Sequence, residues 1–128
     1  MDSDQVEYLE YLCRENDDIN DIIVVSNEGL PIALASSTTE FSDQTLVSGM
    51  SIALKYISQE LISEITESDL KRVLIDCTNG VVLIQQLNQN CVLVASCKKD
   101  ATLSELDIPS IQKYFSANTP KSLSRIVD

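Results

Sequence analysis

Asp21–Ala35 reads DIIVVSNEGLPIALA, and the fold turns on how its two halves pair. Two short apolar runs, Ile22–Val25 and Leu30–Ala35, flank Ser26-Asn27-Glu28-Gly29. Ile and Val are stiff at χ1 and suit a pleated surface, so each run predicts a strand. Gly29 takes φ > 0 at little steric cost, which a loop of three or four residues needs at one position. Pro31 has no N–H to donate and belongs at a strand start or on a sheet edge. Together these signals predict a β-hairpin, with Gly29 shaping the loop and Ala33 and Ala35 leaving room for a helix above.

Upstream, residues 4–16 place Val6, Leu9 and Cys13 on one face with Tyr8 and Leu12 at its flank, an amphipathic helix of about three turns. Ser3 is a candidate N-cap, and Asp4 and Glu7 suit the positive end of the helix dipole. Downstream, Ser36-Ser37-Thr38-Thr39 is a polar connection, and Ser42 is a candidate cap for the longest helical pattern, residues 43–65. Leu46, Met50, Ala53, Ile57, Leu61 and Ile65 are spaced by three or four and form one stripe. Val47, Leu54 and Ile62 widen it, and Ile52 and Tyr56 carry it round another side. So broad an apolar surface exceeds what one sheet contact requires and implies a second contact. Ser48, Gly49 and Ser51 are small enough for a neighbouring backbone to come close.

Residues 71–97 hold three apolar runs, Val73–Cys77, Val81–Leu87 and Cys91–Cys97. Asn79-Gly80 is a strong short hairpin signal, since both residue types tolerate φ > 0. Turns this short force an antiparallel meander. Val81, Leu83 and Leu87 fall on one face and Val82 and Ile84 on the other, so the sheet is covered on both sides, while Gln85-Gln86 and Asn88–Asn90 point to a wet far end. Thr102-Leu103-Ser104-Glu105 has a capping-box pattern, but Pro109 breaks any long helix there. One helical turn at 103–106 and a helix over 109–117 follow, with Ile108, Ile111, Tyr114 and Phe115 as its apolar side. Residues 1–117 thus read as a single α+β domain of order αββαβββα, and residues 118–128 as a loosely held tail.

Composition narrows the function. The 128 residues carry a net charge of −11, with nine acids against Arg14 alone in residues 1–28. An acidic surface repels phosphate backbones, so nucleic-acid binding is disfavoured, and Lys71-Arg72 and Lys98-Lys99 are too few for a phosphate groove. No run is apolar and long enough to span a bilayer, and the acidic start lacks a secretory n-region, which implies a cytoplasmic protein with no direct membrane insertion. Cys13, Cys77, Cys91 and Cys97 make no C-x-x-C pair and predict buried, reduced thiols. With no His there is no Ser-His or Cys-His nucleophile and no ordinary zinc set, and three glycines leave no phosphate loop. Asp76, inside an apolar strand, reads as an edge-strand charge that discourages unwanted pairing. No metal or cofactor site and no catalytic residue is expected, so the chain reads as a non-enzyme.

The element order, the long central helix and the motif VVSNEGLPIALA together resemble the Roadblock/LC7 family over residues 4–117. The strand Ile22–Val25, the polar turn to Gly29, the strand Leu30–Ala35, the serine-rich link and the Asn79-Gly80 meander carry the likeness. The resemblance implies a profilin-like, five-stranded antiparallel sheet in the order 2-1-5-4-3, with the long helix on one face and the terminal helices on the other. It implies a homodimer through the long helix and third strand, with Val47, Met50, Leu54, Ile57, Leu61, Val73, Leu74 and Ile75 at the interface and Gly29 and Gly80 shaping turns. It also brings Asp17-Asp18 near Lys98-Lys99. The activity implied is a non-enzymatic scaffold that binds or regulates a Ras-like small GTPase. No arginine finger is evident, since Arg14, Arg72 and Arg125 lie on helix, strand edge and tail. Two other readings stand beside it: a small-molecule sensor of profilin- or longin-like fold with a pocket of Tyr56, Tyr114 and Phe115, or a structural adaptor subunit like a dynein light chain.

Overall fold

The computed structural model describes residues 1–37 and 43–117. The elements run α1 (Ser3–Glu15), β1 (Ile19–Ser26), β2 (Pro31–Ser36), α2 (Gln44–Ile65), β3 (Val73–Cys77), β4 (Gly80–Gln86), β5 (Cys91–Cys97), α3 (Asp100–Glu105) and α4 (Ile108–Ala117). The strands form one antiparallel sheet in the order β2-β1-β5-β4-β3, as the resemblance implied. The tail reading for 118–128 and the Ser42 cap lie outside the described residues.

Alternation along the strands sorts the core into two layers. Ile22, Val24, Ala33, Ala35, Val81, Leu83, Leu93 and Ala95 pack with Leu9 and Cys13 of α1, Leu106, and Ile111 and Phe115 of α4. Ile23, Val25, Ile84, Val92 and Val94 pack with Ile52 of α2 on the other face. β5 lies between β1 and β4 and buries five residues in a row, Cys91–Ala95, because both of its faces are covered. The helix for which Ala33 and Ala35 leave room is α1: the period of two sends them to the same face as Ile22 and Val24.

Several local details depart from the sequence reading. α1 starts at Ser3, and its cap is Asp2, whose carboxylate accepts from the backbone N–H of Asp4 (2.8 Å) and Gln5 (3.3 Å). Asp43 caps α2 in the same way, accepting from Thr45 and Leu46. α3 begins at Asp100, which puts Thr102 inside the helix rather than at its cap, and the Glu105 carboxylate takes a hydrogen bond from Asn16 Nδ2 at 3.0 Å. Asp107 caps α4, accepting from the Ser110 N–H and hydroxyl, with Pro109 in the first turn where no N–H is needed. No non-glycine residue described has φ > 0, so Asn79 does not take the left-handed role; Gly80 does, at φ 156°. Asp18 meets Lys98 and Lys99 as topology required: the Lys98 N–H donates to the Asp18 carbonyl at 2.7 Å, and Lys99 Nζ lies 3.9 Å from the Asp18 carboxylate.

The far end of the sheet reaches water at Gln89 and Asn90, as the sequence suggested, and is also tied by amides. Gln86 Nε2 donates to Asn27 Oδ1 (3.0 Å) and to the carbonyls of Asn88 (2.6 Å) and Cys91 (3.1 Å). Asn27 Nδ2 in turn reaches the Gln89 carbonyl at 2.6 Å, which joins the β1–β2 loop to the β4–β5 loop.

Candidate protein interaction surface

α2 leaves the β2 side of the sheet and returns the chain to β3 at the opposite edge, so it must cross the sheet. Near its start the Gly29 loop lies against it: a Cβ on Gly29, at φ 87°, would sit 3.2 Å from Gly49 Cα. The same Cβ would lie 3.8 Å from the Ser48 carbonyl oxygen, and Ser48 and Ser51 are both buried on this helix. Near its end, Gln59 Oε1 accepts from the Leu70 N–H at 3.1 Å and holds the lead into β3.

The sheet side of α2 is made of Ser48, Ser51 and Ile52, with Lys55, Gln59 and Ile62 half-buried beside them. Its large apolar stripe faces the other way. Leu46, Met50, Ile57, Leu61 and Ile65 are each more than half exposed, and Tyr56 with them. An amphipathic helix ordinarily turns its apolar stripe inward, and α2 inverts that arrangement, which leaves a contiguous apolar surface open.

The residues expected at the interface fall into two groups. Met50, Ile57 and Leu61 are open on α2, and Leu74 and Ile75 are open on β3. Val47, Leu54 and Val73 are half-buried and already packed against the α2-side core. On β3, Ile75 pairs with Val82 and faces α2, whereas Leu74 pairs with Leu83 and faces the terminal-helix side. β3 is an outermost strand of the sheet. Gly80 closes its hairpin where nothing larger fits: a Cβ there would lie 2.3 Å from the Cys97 carbonyl oxygen.

No chemistry-bearing cluster emerges elsewhere among the described residues. Among the described residues no three His, Cys, Asp or Glu side chains converge as a metal would require. Cys13, Cys91 and Cys97 are buried, and burial pushes each thiol up to about 11. Cys77 is exposed, contrary to the expectation of four buried thiols, because β3 has no neighbour on its outer side. Tyr56, Tyr114 and Phe115 do not share a pocket: Tyr56 is on α2, while Tyr114 stacks on Tyr8 at 4.0 Å and Phe115 is buried on the opposite face of the sheet. Sequence reasoning missed a shallow cleft of about 520 Å³ lined by Asn27, Lys55, Tyr56, Gln86, Asn88 and Gln89. Its only sequence signal was the density of Asn and Gln in two loops. No helix among the described residues is long and apolar enough to cross a membrane.

The fold is thus a sheet of order 2-1-5-4-3, layered between one long helix and the terminal helices and exposing an apolar helix face. The chain belongs to the Roadblock/LC7 domain family, whose model matches residues 9–96. In fold it is similar to a Roadblock/LC7 domain from Streptomyces avermitilis, at 9% identity over 88% of this chain and 95% of that one, with a TM-score of 0.75. It is also similar to the gliding protein MglB from Thermus thermophilus, at 14% identity over 73% of this chain and 70% of that one (TM-score 0.64). An MglB with a tetrameric arrangement matches at 14% identity over 97% of this chain and 88% of that one (TM-score 0.68). Curated protein sequences gave no match.

Proposed function

We propose that the chain, with residues 1–117 acting as one unit, is a non-enzymatic, cytoplasmic homodimeric scaffold that binds or regulates a Ras-like small GTPase. The observation that carries this reading is the inverted α2, whose apolar stripe points away from its own sheet. A second copy placed edge to edge at β3 would cover Leu61, Ile65 and Ile75 and the flanks at Val47, Leu54 and Val73. Two coplanar helices leave their outermost sides open, and there Leu46, Met50 and Ile57 offer a second, composite surface to the GTPase. Membership of the family supports the GTPase, and a fold neighbour that assembles as a tetramer supports self-association. Among the described residues the arginines are Arg14 on α1 and Arg72 beside β3, and the chain would act by shaping the partner's switch loops.

Ile57→Asp and Leu61→Asp test the reading, because both positions are exposed and a charge there does not disturb the core. Light scattering should show a dimer for the native chain at micromolar concentration and a monomer for Leu61→Asp at unchanged melting temperature. Ile57→Asp should weaken capture of a small GTPase from an extract of the source organism. A native chain that is monomeric throughout that range, or one that neither captures a GTPase nor changes its nucleotide turnover, would overturn the corresponding half of the proposal.

A further inference from the structure

β3 runs Val73-Leu74-Ile75-Asp76-Cys77, and it pairs with β4 along one edge only. Alternation puts Val73, Ile75 and Cys77 on the α2 side and Leu74 and Asp76 on the other. Carried back one residue, it puts Arg72 on the face of Leu74 and Asp76. Arg72, Leu74 and Asp76 are all exposed, and neither charged side chain has an ion-pair or hydrogen-bond partner among the described residues. An edge strand this open and this apolar invites pairing, and an unpaired Asp and Arg four residues apart restrict with what.

A two-fold axis normal to the sheet sets β3 antiparallel to its copy and keeps each residue on the same face in both chains. Even-numbered residues therefore meet even-numbered ones, and only a few registers remain. Centred on Leu74, the pair sets Leu74 against itself, Val73 against Ile75 of the partner subunit, and Arg72 against Asp76 of the partner subunit, twice by symmetry. Centred on Ile75, it sets Asp76 against Leu74 of the partner subunit and Arg72 against Thr78 of the partner subunit. Centred on Val73, it sets Arg72 against Leu74 of the partner subunit, and centred on Asp76 it sets acid against acid. One register alone neutralises both charges and gathers the odd-numbered apolar residues under α2. Opposite charges directly across a ladder attract, and like charges there repel.

We propose that Arg72 and Asp76 form reciprocal ion pairs across the β3 edge, fixing the Leu74-centred register and selecting a second copy of this chain as the strand's partner. This rests on the reading that the chain dimerises through β3 and α2, and charge reversal separates the two ideas. Asp76→Arg alone faces Arg with Arg at two places, and Arg72→Asp alone faces Asp with Asp. Each should weaken self-association about tenfold at low salt, by sedimentation of the full chain, with less difference in high salt. The two single variants mixed should form a heterodimer, since every cross-strand pair is then opposite in charge, and the double variant should recover native affinity. Circular dichroism should show native melting temperatures for all three, since both positions are exposed. Single variants that dimerise as tightly as the native chain, or a mixture that stays as weak as its parts, would overturn the register while leaving the dimer standing. A native chain that does not dimerise at all would instead remove the reading beneath it.

Discussion

At Gly80 a single hydrogen atom decides whether the β3–β4 hairpin closes. The Cys97 carbonyl is backbone in the central strand β5, paired with Val81, so it has nowhere to retreat from a Cβ built 2.3 Å away. φ 156° adds a conformation that L side chains avoid. Gly80→Ala is therefore expected to destabilise the chain by roughly 2 kcal/mol or more, read as a lower midpoint in urea at unchanged slope. A midpoint within error of the native chain would mean that β4 can slide at its first residue. Gly29 differs in degree: its Cβ would press on Gly49 Cα at 3.2 Å, less severely than at Gly80, and its φ of 87° is one that side chains rarely adopt. Both glycines were legible in the sequence as turn residues, but their neighbours were not, since Cys97 and Gly49 are brought there by topology.

α2 shows what periodicity tells and what it leaves out. Its length, its stripe and its small residues were all readable, and the stripe's excess implied a second contact. Which side would face the sheet was not readable, because hydropathy favours burying Leu and Ile and the chain instead buries Ser48 and Ser51. At Ser48 and Gly49 the Gly29 loop lies close against the helix backbone. β1 was undercounted for a related cause: Asn20 and Asp21 hid that the strand starts at Ile19, where it pairs with Cys97. The Asp2 and Asp43 caps each lay one residue from the chosen serine, a distance that capping preferences do not resolve. Gly49 supplies the test at this scale. A Cβ there meets nothing within 4 Å, so Gly49→Ala should gain about 0.5–1 kcal/mol from helix propensity alone. A loss of stability would mean that the Gly29 loop needs Gly49 itself, not merely a small residue.

Across the described molecule, the groups whose protonation burial ties to folding lie on one side of the sheet. Cys13, Cys91 and Cys97 belong to the layer under α1, α3 and α4, and Tyr8 and Tyr114 join the same layer through their stacked rings. Burial raises all five, the thiols to about 11; acids add to it at Tyr8 (Asp107) and Tyr114 (Asp4, Asp2, Glu7). An unfolded thiol releases its proton near its ordinary value of 9.0, whereas the folded thiol keeps it. Above that pH the unfolded chain binds fewer protons than the native one, so stability falls as pH rises. The stabilisation is complete below pH 9 and is lost on the way to pH 11 as the thiols ionise. The α2 layer holds no such group among the described residues with a resolved shift. Alkali should accordingly loosen the terminal helices first. With rising pH, an alkylating reagent should reach Cys77 alone at neutrality and then Cys13, Cys91 and Cys97 together between pH 9 and 11. Self-association through α2 and β3 should outlast that exposure, because the α2 stripe proposed for it lies on the face of the sheet opposite the buried thiols. Dissociation of the dimer before the buried thiols react would place the contact on the terminal helices instead.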